Sequence, residues 1–92
     1  MSNALHLIIR GRVQGVGYRW WATRTAKELG LDGWVRNRVD GNVEILAIGA
    51  EDVLERFAAA CHHGPNGAVV HSVERDEAED DGSRDFLQLP TL

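Results

Sequence analysis

Apolar and polar residues trade places along this chain with two distinct periods, and each switch of period marks an element. Leu5, Leu7 and Ile9 alternate with Ala4, His6 and Arg10, the period-two pattern of a strand with one buried face. Ile8 on the outer side predicts partial cover there too. From Tyr18 the period lengthens: Tyr18, Ala22, Ala26 and Leu29 fall on one helical face. Gly30 follows as a stop, with Leu31 beyond it, so a helix over about 18–29 with a Schellman-type end is expected.

Gly33 to Asn37 and Asn42 to Ile48 read as paired strands around Val39-Asp40-Gly41-Asn42. Asp-Gly between strand-like runs predicts a hairpin with a primed turn. Gly49 ends the second arm. Glu51 and Asp52 then open a second helix, where acids suit the positive end of the dipole. Its apolar face is Val53, Leu54, Phe57, Ala58 and Cys61, and Gly64-Pro65-Asn66-Gly67 turns the chain away. Ala68 to Val73 reads as a fourth strand and Phe86 to Leu89 as a short fifth, limited by Pro90. The acid-dominated Glu74 to Asp81 is expected to be a solvated strand end and loop. The order β-α-β-β-α-β, with right-handed crossovers, puts both helices on one face of a mixed, mostly antiparallel sheet. The predicted class is therefore an α+β, ferredoxin-like sandwich, as a single domain over 1–92.

Composition narrows the functions this domain can serve. No apolar run approaches a membrane span, and the N-terminus lacks the features of a secretory signal. Cys61 is the only cysteine, which forbids an internal disulfide and fits a reducing compartment, so a cytoplasmic protein is expected. The net charge of −4 conceals an asymmetry: residues 1–38 carry seven basic and two acidic side chains, residues 39–92 three and twelve. An acidic whole argues against a broad nucleic-acid surface, while a basic first part favours a small anion as ligand.

That basic part holds Gly11-Arg12-Val13-Gln14-Gly15-Val16-Gly17-Tyr18-Arg19, between the first strand and the first helix. Its glycines let the backbone curl and let a ligand approach without Cβ clashes. Successive N–H groups in such a turn can form an anion-binding nest, reinforced by the helix N-terminus. Arg19 is out of place in a first helical turn, where a cation typically costs ~0.3–1 kcal/mol; a bound anion would reverse that sign. A tight turn with a solvated arginine is the alternative, and the stretch has neither the GxGxxG order nor the GK[ST] ending of the common phosphate motifs.

Two stretches together carry a resemblance. Ile9 through Arg19, and Gly33-Trp34-Val35-Arg36-Asn37 through Gly41-Asn42-Val43 to Gly49, are closely similar to the two signature stretches of the acylphosphatase family, and the similarity runs on through Gly64-Pro65 to Val73. Tyr18 departs from the Phe or Met usual in the family, although a phenol is compatible with that packing position. The resemblance implies metal-independent, cofactor-free hydrolysis of a small-molecule acyl phosphate to carboxylate and inorganic phosphate. It places the phosphate cradle on Gln14, Gly15, Val16, Gly17, Tyr18 and Arg19, the phosphate-binding arginine on Arg19 and the water-orienting asparagine on Asn37. Inorganic phosphate and sulfate are then expected to compete with substrate. No nucleic-acid or membrane partner is implied, and a monomer is expected.

The remaining candidates read as structural. His6, His62, His63 and His71 lack the spacing of a metal site. Cys61, on an apolar helix face, reads as a small buried hydrophobe. Adjacent Trp20 and Trp21 must point to different sides of their helix, one packing at the sheet margin and the other partly exposed near the site. Arg12, Arg36 and Arg38 read as solvated charge. Two other classes share the topology. An RNA-binding sheet stacks bases on strand aromatics, which Leu5–Arg10 and Val43–Ile48 lack. A regulatory module, or a domain of a larger maturation factor, is the stronger rival; a chain ending just after its last strand favours a free-standing enzyme.

Overall fold

In the computed structural model, which describes residues 3–92, the chain forms β1 (Asn3–Arg12), α1 (Tyr18–Glu28), β2 (Asp32–Asn37), β3 (Val43–Gly49), α2 (Glu51–Cys61), β4 (Val69–Ala78) and β5 (Phe86–Gln88). The strands make one sheet in the order β4-β1-β3-β2-β5, parallel only where β5 joins β2. The expected ferredoxin-like sandwich is the fold observed.

Register decides which side chains meet. Leu7, Ile45 and Val35 stand abreast across β1, β3 and β2, and all three are fully buried. With Ile9, Val43, Leu54, Phe57 and Phe86 they form the core between sheet and helices. Asn37 lies two residues beyond Val35 and opposite Val43, so it shares the helix-bearing face of β2. The same parity puts Trp34, Arg36, Leu46, Glu44 and His6 on the other face. There Ala4, Leu46 and Ile48 make a second, small apolar cluster with Trp34 and Ala78.

Four details differ from expectation. β1 begins at Asn3, and β4 pairs with it through Ala78; the acids Glu74 to Glu77 belong to that strand because backbone pairing requires no apolar side chains at a solvated edge. The β2–β3 turn is not primed. Arg38 N–H donates to Asn42 O at 2.8 Å, Gly41 N–H donates to Arg38 O at 3.1 Å, and only Gly41 (φ 94°) has a positive φ in the loop. This is a three-residue loop closed by a left-handed glycine, and Asp40 Oδ1 braces it by accepting from Asn42 N–H at 3.0 Å. α1 ends at Glu28 with Leu29 as its C-cap. Its Schellman end is present: Leu31 N–H reaches Ala26 O at 2.9 Å, Gly30 N–H reaches Lys27 O at 3.0 Å, and Gly30 is left-handed at φ 73°.

Candidate active site

The loop from β1 to α1 is held at its apolar residues and left open at its glycines. Val13 is buried and Val16 packs against the core. Gly15 (φ 75°) and Gly17 (φ 80°) adopt the left-handed conformation, and a Cβ on either would meet nothing within 4 Å. The space above them is free for a ligand. Gly11 and Gly33 are different, because a Cβ there would run into the backbone carbonyls of Val69 and Leu46. Those two glycines serve strand packing.

Gly17 is the N-cap of α1, which has no side-chain cap and no acid in its first turn. The first helical hydrogen bond is Trp21 N–H to Gly17 O at 3.0 Å, so the N–H groups before it have no intrahelical acceptor. Arg19 sits in this turn, half-buried. Among the described residues its side chain enters no ion pair.

Other residues of the stretch act as struts. Gln14 Nε2 donates to Arg38 O at 2.7 Å and to Asn42 O at 2.8 Å. Its amide nitrogen therefore ties the loop to the β2–β3 hairpin and leaves the main chain to face a ligand. The Tyr18 hydroxyl donates to Cys61 O at 2.7 Å, linking α1 to α2, and Trp21 packs edge-on to its ring at 5.2 Å. Burial, then the contact with Cys61, pushes the Tyr18 pKa far above its ordinary value. Burial also pushes the Cys61 thiol up to about 12, which keeps it protonated and inert. A Phe or Met in place of Tyr18 has no hydroxyl to make this tie.

The two elements meet at a cavity of about 160 Å³ lined by Gly15, Gly17, Arg19 and Asn37, with Trp20 and Gln88 among the residues completing its wall. Gln14 and Tyr18 also line it; Val16 does not. Arg19 is the only charged residue of the lining. Asn37 arrives from the end of β2, its main-chain carbonyl accepting from Leu92 N–H at 3.1 Å. Asn37 Oδ1 is, among the described residues, the one buried side-chain polar atom with no hydrogen-bond partner. A buried orphan acceptor is costly unless something supplies a donor.

Several polar residues lie away from this cavity. Glu44 is buried on the opposite sheet face and accepts from Arg36 at 2.7 Å, Arg38 at 3.2 Å and His6 at 2.6 Å. Burial pushes its carboxyl pKa up, but the bonds from His6 and Arg36 outweigh that and hold it below the ordinary value. Arg36 and Arg38 are thus paired, not freely solvated as expected; Arg36 also lies 4.7 Å from the Trp34 ring centroid. The sequence pattern gave no sign of this cluster, nor of the Gln14 strut, since both join residues distant in the chain. His62, His63 and His71 are exposed, and among the described residues no group of three or more His, Cys, Asp or Glu is placed to hold a metal. No helix of the described residues is long and apolar enough to cross a membrane.

A larger cavity, of about 640 Å³, lies beside the start of α2. Glu51, Asp76, Glu77, Glu79 and Asp80 line it, and its one cation, Arg75, is bound to Glu55. Size favours it, but its charge repels a phosphoryl group.

Comparison with known proteins shows which family the whole chain resembles. A family model described as Acylphosphatase matches residues 5–87. An acylphosphatase of Azoarcus sp. is 53% identical over 85 residues, covering 92% of this chain and 87% of that protein. One of Bradyrhizobium diazoefficiens is 46% identical over an alignment of 99 residues that spans all of both chains. The crystal structure of acylphosphatase from Bacillus subtilis superposes with a TM-score of 0.92 at 38% identity, covering 97% of this chain and 99% of that one.

Proposed function

Since the chain belongs to the acylphosphatase family, enzymes that hydrolyse acyl phosphates, we propose that the cavity at the head of α1 is where that reaction takes place. The observation that carries this placement is one shared wall: an unpaired arginine, an uncapped helix start and an asparagine with an orphan acceptor line the same small space.

The dianionic phosphoryl group sits over Gly15 and Gly17, where main-chain N–H groups of the loop and the first turn of α1 donate to its oxygens. Arg19 adds a planar pair of donors that match two phosphoryl oxygens and neutralise charge as the transition state spreads it. Asn37 Oδ1 accepts a hydrogen bond from the attacking water, which supplies the donor that this buried oxygen lacks. An amide is a poor base. The water oxygen forms the new P–O bond, the bond from phosphorus to the acyl oxygen breaks, and the carboxylate leaves with the electron pair. The water's proton passes to a phosphoryl oxygen of the substrate. A carboxylate needs no general acid to depart, so positioning and electrostatic stabilisation are the work of the site.

The chain's own donors suffice in this scheme, with no metal or cofactor. The chain is read as a monomer, and the free Cys61 thiol suits the cytoplasm. Steady-state hydrolysis of a small acyl phosphate tests the placement. Inorganic phosphate and sulfate are expected to inhibit competitively, and a strong chelator to leave turnover intact. Purely noncompetitive inhibition contradicts the cradle; loss of turnover that divalent metal restores contradicts the metal-free chemistry.

A further inference from the structure

The phosphate accounts for only part of the cavity wall. Gly15, Gly17, Arg19 and Asn37 serve the phosphoryl group and water, and Val13 belongs to the core. Trp20 and Gln88 remain at the rim without a role. Trp20 is 61% exposed and, among the described residues, is the only large exposed hydrophobic that lines this cavity. Water solvates an indole poorly, so so much exposed ring beside a polar site is rewarded when a ligand covers it.

The ring also has a cation against it. Arg24, one turn along α1, sets its guanidinium over the indole at 5.4 Å from the centroid, and Arg24 Nε is fixed in turn by Glu28 Oε1 at 3.0 Å. The ladder Trp20-Arg24-Glu28 follows the i, i+4 spacing of neighbouring helical side chains. The cation lies over one face of the indole. The exposed remainder is a flat apolar surface on the wall of the same cavity in which the phosphoryl group is placed.

Building on the placement proposed above, we infer that Trp20 is a specificity-determining residue that stacks on the acyl group, so that acyl phosphates with a planar, apolar acyl portion are favoured over small aliphatic ones. The test compares kcat/KM for benzoyl phosphate and acetyl phosphate in the wild type, Trp20→Ala and Trp20→Phe, with phosphate inhibition measured alongside. Trp20→Ala is expected to lower the benzoyl-to-acetyl ratio about tenfold, the scale of an aromatic contact. Trp20→Phe, which keeps a flat ring, should restore most of the ratio. A ratio unchanged in Trp20→Ala, or recovered no better by Phe than by Ala, overturns the assignment to Trp20. If that happens while phosphate still inhibits competitively, the placement of the phosphate stands. If phosphate does not compete in the wild type, the placement itself fails and the role of Trp20 falls with it.

Discussion

The two helices of this fold begin at opposite ends of the sheet, because β1 and β3, which lead into them, run antiparallel, and the two starts are built with opposite charge. α2 begins with Glu51 and Asp52 in its first turn, acids that complement the helix dipole and stabilise it by ~0.3–1 kcal/mol each. α1 has no acid there, a left-handed glycine for a cap, and Arg19. Neither helix has a side-chain cap, so the difference lies in charge and glycine. One start is complemented by its own acids. The other has neither a side-chain cap nor an acid in its first turn and carries a cation there, a local cost that the proposed phosphate would offset.

Arg19→Ala should break this contrast most severely. Two charge-assisted bonds at ~1.5–3 kcal/mol each amount to roughly 10²–10⁴ in phosphate affinity, and turnover should collapse with it. The ligand-free fold should be as stable as the wild type or more stable by up to ~1 kcal/mol. Calorimetry with inorganic phosphate and thermal unfolding read the two effects separately, and a less stable variant would show Arg19 to be a structural residue.

Asn37→Ala separates binding from chemistry. Phosphate affinity should hold, while kcat falls on the order of 10²–10³, the scale for losing one positioned polar group. Near-normal turnover in a small acyl phosphate assay would remove the water-holding role.

Gly15→Ala sharpens the account of the loop. No neighbour obstructs the new methyl group, so the cost to folding is the left-handed backbone, ~1–2 kcal/mol. The methyl group would instead take space from the ligand, and phosphate should bind at least about tenfold more weakly, a loss of ~1.4 kcal/mol. Unfolding and binding curves compared on one sample distinguish this from a tolerant turn.

Glu51→Gln carries the smallest effect. It should lower stability by ~0.3–1 kcal/mol through the α2 dipole and leave kcat/KM for acetyl phosphate within error. A change in turnover would mean that the acid-lined end is coupled to the site.

Much of this was legible in the chain because the signals were local. Alternation in Leu5–Ile9 and the Tyr18-Ala22-Ala26 spacing each report on neighbours a turn away. Gly30-Leu31 announced a Schellman end that the hydrogen bonds bear out. Asn37 and Arg19 were paired in the sequence only through the family resemblance; the fold brings them to one cavity because Asn37 takes the last position of β2 on the helix-bearing face. What escaped was long-range or degenerate. Asp-Gly fits both a primed turn and a longer loop closed by Gly41. β4 runs on through Glu74–Ala78 because pairing to β1 uses backbone, which leaves no periodic trace in acidic side chains. Gln14 lines the cavity as expected, but the tie of its amide nitrogen to the carbonyls of Arg38 and Asn42 was not legible. Glu44 reads as a surface acid until register sets it beside Arg36, Arg38 and His6.

Which end of the sheet binds phosphate can be observed directly by titrating inorganic phosphate into 15N-labelled protein and following the amide resonances. The account predicts saturable shifts at Gly15, Gly17, Tyr18 and Arg19, with those of Glu51 through Leu54 unmoved. Shifts concentrated at the start of α2, or spread evenly over both helix starts, would contradict it.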